Sequence, residues 1–158
     1  MELRSAMKGQ YRAALAMLRE TIELCPDEVW TSGTPPRLFW RVAYHALFYT
    51  DLYLQPNLDS FQPWEKHGEG YEDQGADFPL ITAFTKAELL GYLDAIDARI
   101  DATVDRLDLD SPECGFWWYD MPKLDHQLMN IRHIQQHAGQ LSELLMVSGI
   151  DTDWIGRR

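Results

Sequence analysis

The chain has 158 residues, 46% of them hydrophobic and 25% charged, with a formal net charge of −11. That length and apolar content suit a single domain over residues 1–158 with a buried core. The acidic balance, which no Lys/Arg cluster offsets, argues against nucleic acid as a partner; no apolar run reaches the ~18–20 residues of a membrane span and the N-terminus has no signal-like stretch, so the expected setting is cytoplasmic.

Four amphipathic helices are predicted. In the first, Leu3, Met7, Tyr11, Ala14, Leu18 and Ile22 recur at helical spacing until Cys25-Pro26-Asp27. The second is expected to open at Thr34-Pro35-Pro36, a capping residue followed by proline in the first turn, and to run through Leu38, Val42, Tyr49 and Leu52 to Gln55-Pro56. The third opens on the capping-box pattern Thr85-Lys86-Ala87-Glu88 and keeps its period through Leu89, Leu93, Ile96, Ile100, Val104 and Leu107. The fourth follows Asp120-Met121-Pro122 and carries Leu124, Leu128, Ile131, Ala138, Leu141 and Leu145 up to Ser148-Gly149. No alternating strand pattern competes, so the expected fold is all-α, a four-helix bundle.

Two connections are longer than turns. Residues 55–84 hold Pro56, Pro63, Gly68, Gly70, Gly75 and Pro79 beside Phe61, Trp64, His67 and Tyr71. A crossover of that length lets the second and third helices run parallel, and long loops in small domains are often functional. Residues 108–121 contain Phe116-Trp117-Trp118-Tyr119, suited to a pocket wall, to a dimer interface or to packing on the end of the bundle.

Three histidines carry the chemistry. His45 falls in the middle of the second helix's apolar stripe, where an imidazole needs a partner: a hydrogen-bonding core group or a metal. His133 and His137, at i and i+4, lie about 40° apart around a helix, one turn from each other. Such a pair arises by chance on surface helices, but an imidazole on a facing helix would complete a three-histidine set with coordination positions left open, which suits a catalytic transition metal. His126 is expected to be exposed or at a pocket mouth, and His67 could serve as a fourth ligand or proton shuttle from the long loop. Asp97, Asp101, Asp105 and Asp108 read as a solvated helix face. Glu143 points elsewhere, so no carboxylate base is evident, while Gln136, Gln140 and Tyr44 are candidates for supporting contacts. Cys25 and Cys114 read as reduced structural thiols, and no serine or cysteine nucleophile motif is present.

With Val42-Ala43-Tyr44-His45, with Arg132-His133-Ile134-Gln135-Gln136-His137-Ala138-Gly139-Gln140-Leu141 and with the four-helix order, the chain resembles the DinB/YfiT-like family of metalloenzymes, the DinB superfamily. The segment His-x-Gly-Gln-Leu at residues 137–141 is the most family-like part, and the resemblance spans nearly the whole chain. It implies an up-down-down-up bundle in which His45, His133 and His137 bind a divalent metal, commonly nickel or zinc. Some relatives are thiol S-transferases or isomerases that use bacillithiol or mycothiol; the family name implies no DNA-polymerase activity. The expectation is therefore a metal-dependent enzyme, of thiol S-transferase or hydrolase type, acting on a small molecule such as a low-molecular-weight thiol. The catalytic acid/base is unassigned, and a homodimer is left open. The competing readings are a non-catalytic metal-binding or self-associating bundle with a structural or sensing role, and a bundle with no metal. The 108–121 and 55–84 segments depart from a minimal family member, which bears on the substrate.

Overall fold

The computed structural model describes residues 2–75 and 82–158. Helix α1 spans Leu3–Leu24. It stops where expected, because Cys25 precedes Pro26 and is held extended, at φ −62° and ψ 121°. One further turn, α2 (Asp27–Trp30), buries Trp30 against Phe39, with ring centroids 5.8 Å apart.

Thr34-Pro35-Pro36 does not begin a helix. It forms the turn of a short antiparallel hairpin, β1 (Gly33–Thr34) and β2 (Arg37–Leu38), in which Thr34 pairs with Arg37. The Pro35–Pro36 bond is cis. Thr34 and Pro35 each precede a proline, which disfavours helical dihedrals at both. Helix α3 accordingly starts later, at Phe39, with extended Leu38 as its N-cap, and runs to Tyr53.

Among the described residues of the crossover, Leu58–Ser60 forms a 3-10 turn; Pro79 lies outside the described residues. Beyond it, α4 (Lys86–Asp97) opens with the expected capping box: Thr85 accepts from the Glu88 amide and Glu88 accepts from the Thr85 amide. The predicted third helix is split. The Arg99 side chain takes the Ala95 carbonyl at 2.8 Å, the acceptor its own amide would use, and that amide bonds Ile96 instead. A shorter helix, α5 (Ile100–Arg106), then continues the same buried stripe.

Helix α6 (Lys123–Val147) packs on α1 and α3; α3 also packs on α4, and α4 and α5 return to α1. These elements enclose one contiguous apolar core. The buried face of α6 differs from the apolar stripe in the sequence. Leu128 is exposed, whereas Lys123, His126, Gln127, Asn130 and His137 are buried. They are tolerated because most find partners. Gln127 donates to the Tyr53 carbonyl at 2.7 Å, Tyr11 donates to Gln127 Oε1 at 2.7 Å, and Asn130 donates to the Tyr11 oxygen at 3.1 Å. Lys123 Nζ ties Pro56 (2.7 Å) and the Cys114 carbonyl to the start of α6. Gly115, at φ +86°, lets the aromatic segment close against Pro56 and Asn57.

No helix among the described residues is long and apolar enough to cross a membrane. Cys25 and Cys114 are buried free thiols, as expected. The acidic run also reads as expected: Asp101 pairs with Arg12 at 2.8 Å and Asp105 with Lys8 at 2.7 Å on the surface.

Candidate metal centre

The three histidines expected to act together do converge. His45 projects from α3, and His133 and His137 from successive turns of α6, where those helices pack. The Nε2 atoms of His45 and His133 lie 3.2 Å apart, and those of His133 and His137 2.9 Å apart. One ligand atom from each lies within 4.8 Å of the others. Two nitrogens bound to one ion at ~2.1 Å and roughly 90–110° would be about 3.0–3.4 Å apart, so the spacing fits a shared metal.

The tautomers make the same point. His45 Nδ1 lies 2.6 Å from the Glu72 carbonyl, which can only accept, so Nδ1 carries the proton and Nε2 presents a lone pair. His137 Nδ1 lies 2.8 Å from Gln140 Oε1 and is oriented in the same way. His133 Nε2 therefore faces two lone pairs and, in a metal-free site, can donate to only one of them. Its own Nδ1 is buried without a partner. A cation at the centre resolves that conflict, and hydrogen bonds at the far ring nitrogen are the usual way a ligating histidine is held. Burial lowers all three pKa values, to about 4 for His45 and about 3 for His133, so near neutral pH the imidazoles are neutral donors, the form a metal requires.

Of the supporting residues, Gln140 contacts His137, while Gln136 and Glu143 are exposed and take no part. His126 corrects the expectation. It is fully buried in an aromatic cage, stacked on Phe116 with centroids 4.9 Å apart and edge-on to Tyr53 at 4.7 Å. His67 is not in the metal group; it bonds the Tyr44 hydroxyl through Nδ1 at 2.7 Å. Burial pushes the Tyr44 pKa far up, so the phenol stays protonated and donates, and His67 Nε2 carries the ring proton.

The residue missed in sequence is Glu72. Besides holding His45 by its carbonyl, it carries a carboxylate whose Oε2 lies 3.9 Å from His67 Nε2 and has no hydrogen-bond partner. Its loop is anchored to one turn of α3: Arg41 donates to the Gly70 carbonyl (2.9 Å) and the Tyr71 carbonyl (3.3 Å), Tyr44 to His67, and His45 to Glu72. Nothing in the spacing of residues 55–84 signals this, because the loop is placed by tertiary contacts and not by a period.

His45, His133 and Glu72 open into a cavity of about 670 Å³. Phe48, Tyr49, Tyr53 and Phe61 wall it from α3 and the crossover, and Trp118 and Tyr119 from the aromatic segment. Phe116 is buried, while Trp117 is 85% exposed. The segment thus both walls a pocket and packs on the bundle.

The model of the DinB superfamily matches residues 10–141. The chain belongs to the DinB superfamily. The match takes in His45, His133 and His137, so this DinB-superfamily chain has its convergent histidines inside the shared region. No curated protein and no solved structure matches it.

Proposed function

We propose that the protein is a metal-dependent enzyme in which His45, His133 and His137 hold one divalent ion and the adjoining cavity holds a small-molecule substrate. The observation that carries this reading is the set of three inward Nε2 atoms, two of them fixed as lone pairs by Glu72 and Gln140. An ion so held supplies Lewis acidity, which lowers the pKa of a thiol or water in its open positions. The chain's own residues hold those imidazoles neutral and oriented, wall the cavity with aromatic rings, and place Glu72, with its Oε2 3.9 Å from His67 Nε2, in that wall for proton handling. Thiol S-transfer with a low-molecular-weight thiol is the reaction class we favour, with metal-assisted hydrolysis second. Zinc and nickel both suit three imidazoles. We further read residues 1–158 as one cytoplasmic domain with up-down-down-up topology, which the contiguous core and the long α3–α4 crossover support.

The second reading is a non-catalytic member that uses the metal for structure or sensing, or self-associates through its aromatics; exposed Trp117 is the observation that favours it. The deciding experiment is calorimetric titration of tag-free, chelator-stripped protein with Zn²⁺ and Ni²⁺, followed by thiol-transfer assays on the loaded protein. One ion per chain, lost in His45→Ala and His133→Ala, with metal-dependent turnover supports the enzyme. One ion without turnover, together with a raised melting temperature, supports the structural role. Equal substoichiometric metal in all three proteins overturns both.

A further inference from the structure

The cavity beside the three histidines has a chemistry of its own. At about 670 Å³ it is the size of a small-molecule site. Among the described residues lining it, Glu72 supplies the one carboxylate, and no lysine or arginine lines it. The remaining wall is mostly aromatic and includes Phe48, Tyr49, Phe61 and Trp118. Glu72 Oε2 has no hydrogen-bond partner, and the nearest donor, His67 Nε2, stands off at 3.9 Å.

We propose that this pocket binds an organic cation, a substrate whose apolar or aromatic body lies among these rings and whose ammonium group faces Glu72. In the metal-free pocket an anionic group would meet the carboxylate with no lysine or arginine in the lining to pair with it. A neutral ligand would leave the buried Glu72 Oε2 unsatisfied. A cation satisfies it, and aromatic lining residues such as Tyr49 and Trp118 suit the same charge. The chain's formal charge of −11 raises the local concentration of cations in the same sense. The proposal rests on the pocket being the substrate site of the metal centre.

The test uses the full-length, tag-free, chelator-stripped protein, titrated with 4-phenylbutylammonium, 4-phenylbutan-1-ol and 4-phenylbutanoate and followed by tryptophan fluorescence. The ammonium should bind at least about tenfold more tightly than the other two. Glu72→Gln should bring the ammonium to the level of the alcohol and leave the alcohol unchanged, whereas Glu72→Asp should retain part of the preference. Equal affinities for the three probes in the wild type overturn the proposal, even if Glu72→Gln does not fold. So does tightest binding of the carboxylate, or a Glu72→Gln protein that keeps its preference. Zn²⁺ titration of the same wild-type sample separates the two claims. One ion per chain without ammonium preference overturns the cation pocket alone, and ammonium preference without metal overturns the metal centre alone. A Glu72→Gln protein that loses metal affinity but keeps the ammonium preference assigns the carboxylate to the metal and overturns its role in the pocket.

Discussion

His45 on α3 and Glu72 in the crossover are joined by a 2.6 Å hydrogen bond from the imidazole Nδ1 to the backbone carbonyl. That bond sets which nitrogen of His45 faces the centre, and it positions the Glu72 carboxylate at the cavity wall. One contact therefore orients a ligand and helps to hold the loop beside it.

Gln140 does for His137 what the Glu72 carbonyl does for His45, across 2.8 Å. Gln140→Leu removes the acceptor and leaves the ring free to choose its tautomer. Metal affinity is expected to fall about 10- to 100-fold with helicity unchanged, as is usual for outer partners of ligating histidines. Competition with a chromogenic chelator measures it; unchanged affinity would show that Gln140 plays no orienting part.

His126 gives a pH dependence apart from the metal site. Burial among Tyr53, Phe116 and Tyr119, together with the smaller effect of the Lys123 charge, holds its pKa at about 4, below the ordinary 6.5. Between these two values the unfolded chain takes up a proton that the native state refuses. Stability from this site is thus complete above pH 6.5 and declines as pH falls toward 4. His126→Phe should flatten that part of the curve, read as the difference between wild type and variant in urea melts from pH 7 down to 4. A parallel pair of curves would show that His126 does not titrate in this way.

The tyrosine of α1 anchors the polar network at the core. Tyr11→Phe removes the hydroxyl that donates to Gln127 and accepts from Asn130, leaving both amides under-satisfied in a buried setting. The expected loss is about 1–3 kcal/mol in urea unfolding at unchanged slope. A loss below ~0.5 kcal/mol would mean that water replaces the hydroxyl.

Neighbouring aromatics should behave in opposite ways. Phe116→Ala empties a fully packed position and should cost about 3–5 kcal/mol. Trp117→Ala, at a site 85% exposed, should lie within about 0.5 kcal/mol of wild type. Equal effects would contradict the placement of the segment.

These residues also show how far the sequence could be read. The helices of α1 and α6 and the α4 capping box follow from local rules, and local rules found them. His45 stood out because an imidazole interrupted an apolar stripe. Thr34-Pro35-Pro36 was misleading, because a proline pair constrains its predecessors more strongly than it nucleates a helix. His126, Gln127 and Asn130 occupy the core through partners on α1 and α3 that no periodicity reveals, and for that reason His126 reads as exposed in sequence. Glu72 was hidden for the same reason: its place depends on Arg41, Tyr44 and His45 gripping a loop that has no pattern of its own.

Anomalous diffraction at the metal edge, from crystals grown with one equivalent of Zn²⁺ or Ni²⁺, tests the central claim most directly. The account predicts one peak per chain at ~2.0–2.3 Å from the Nε2 atoms of His45, His133 and His137, with Nδ1 of His45 still on the Glu72 carbonyl and at least one coordination position facing the cavity. A peak elsewhere, ligation through Nδ1, or closure of the site by a fourth protein ligand would contradict it.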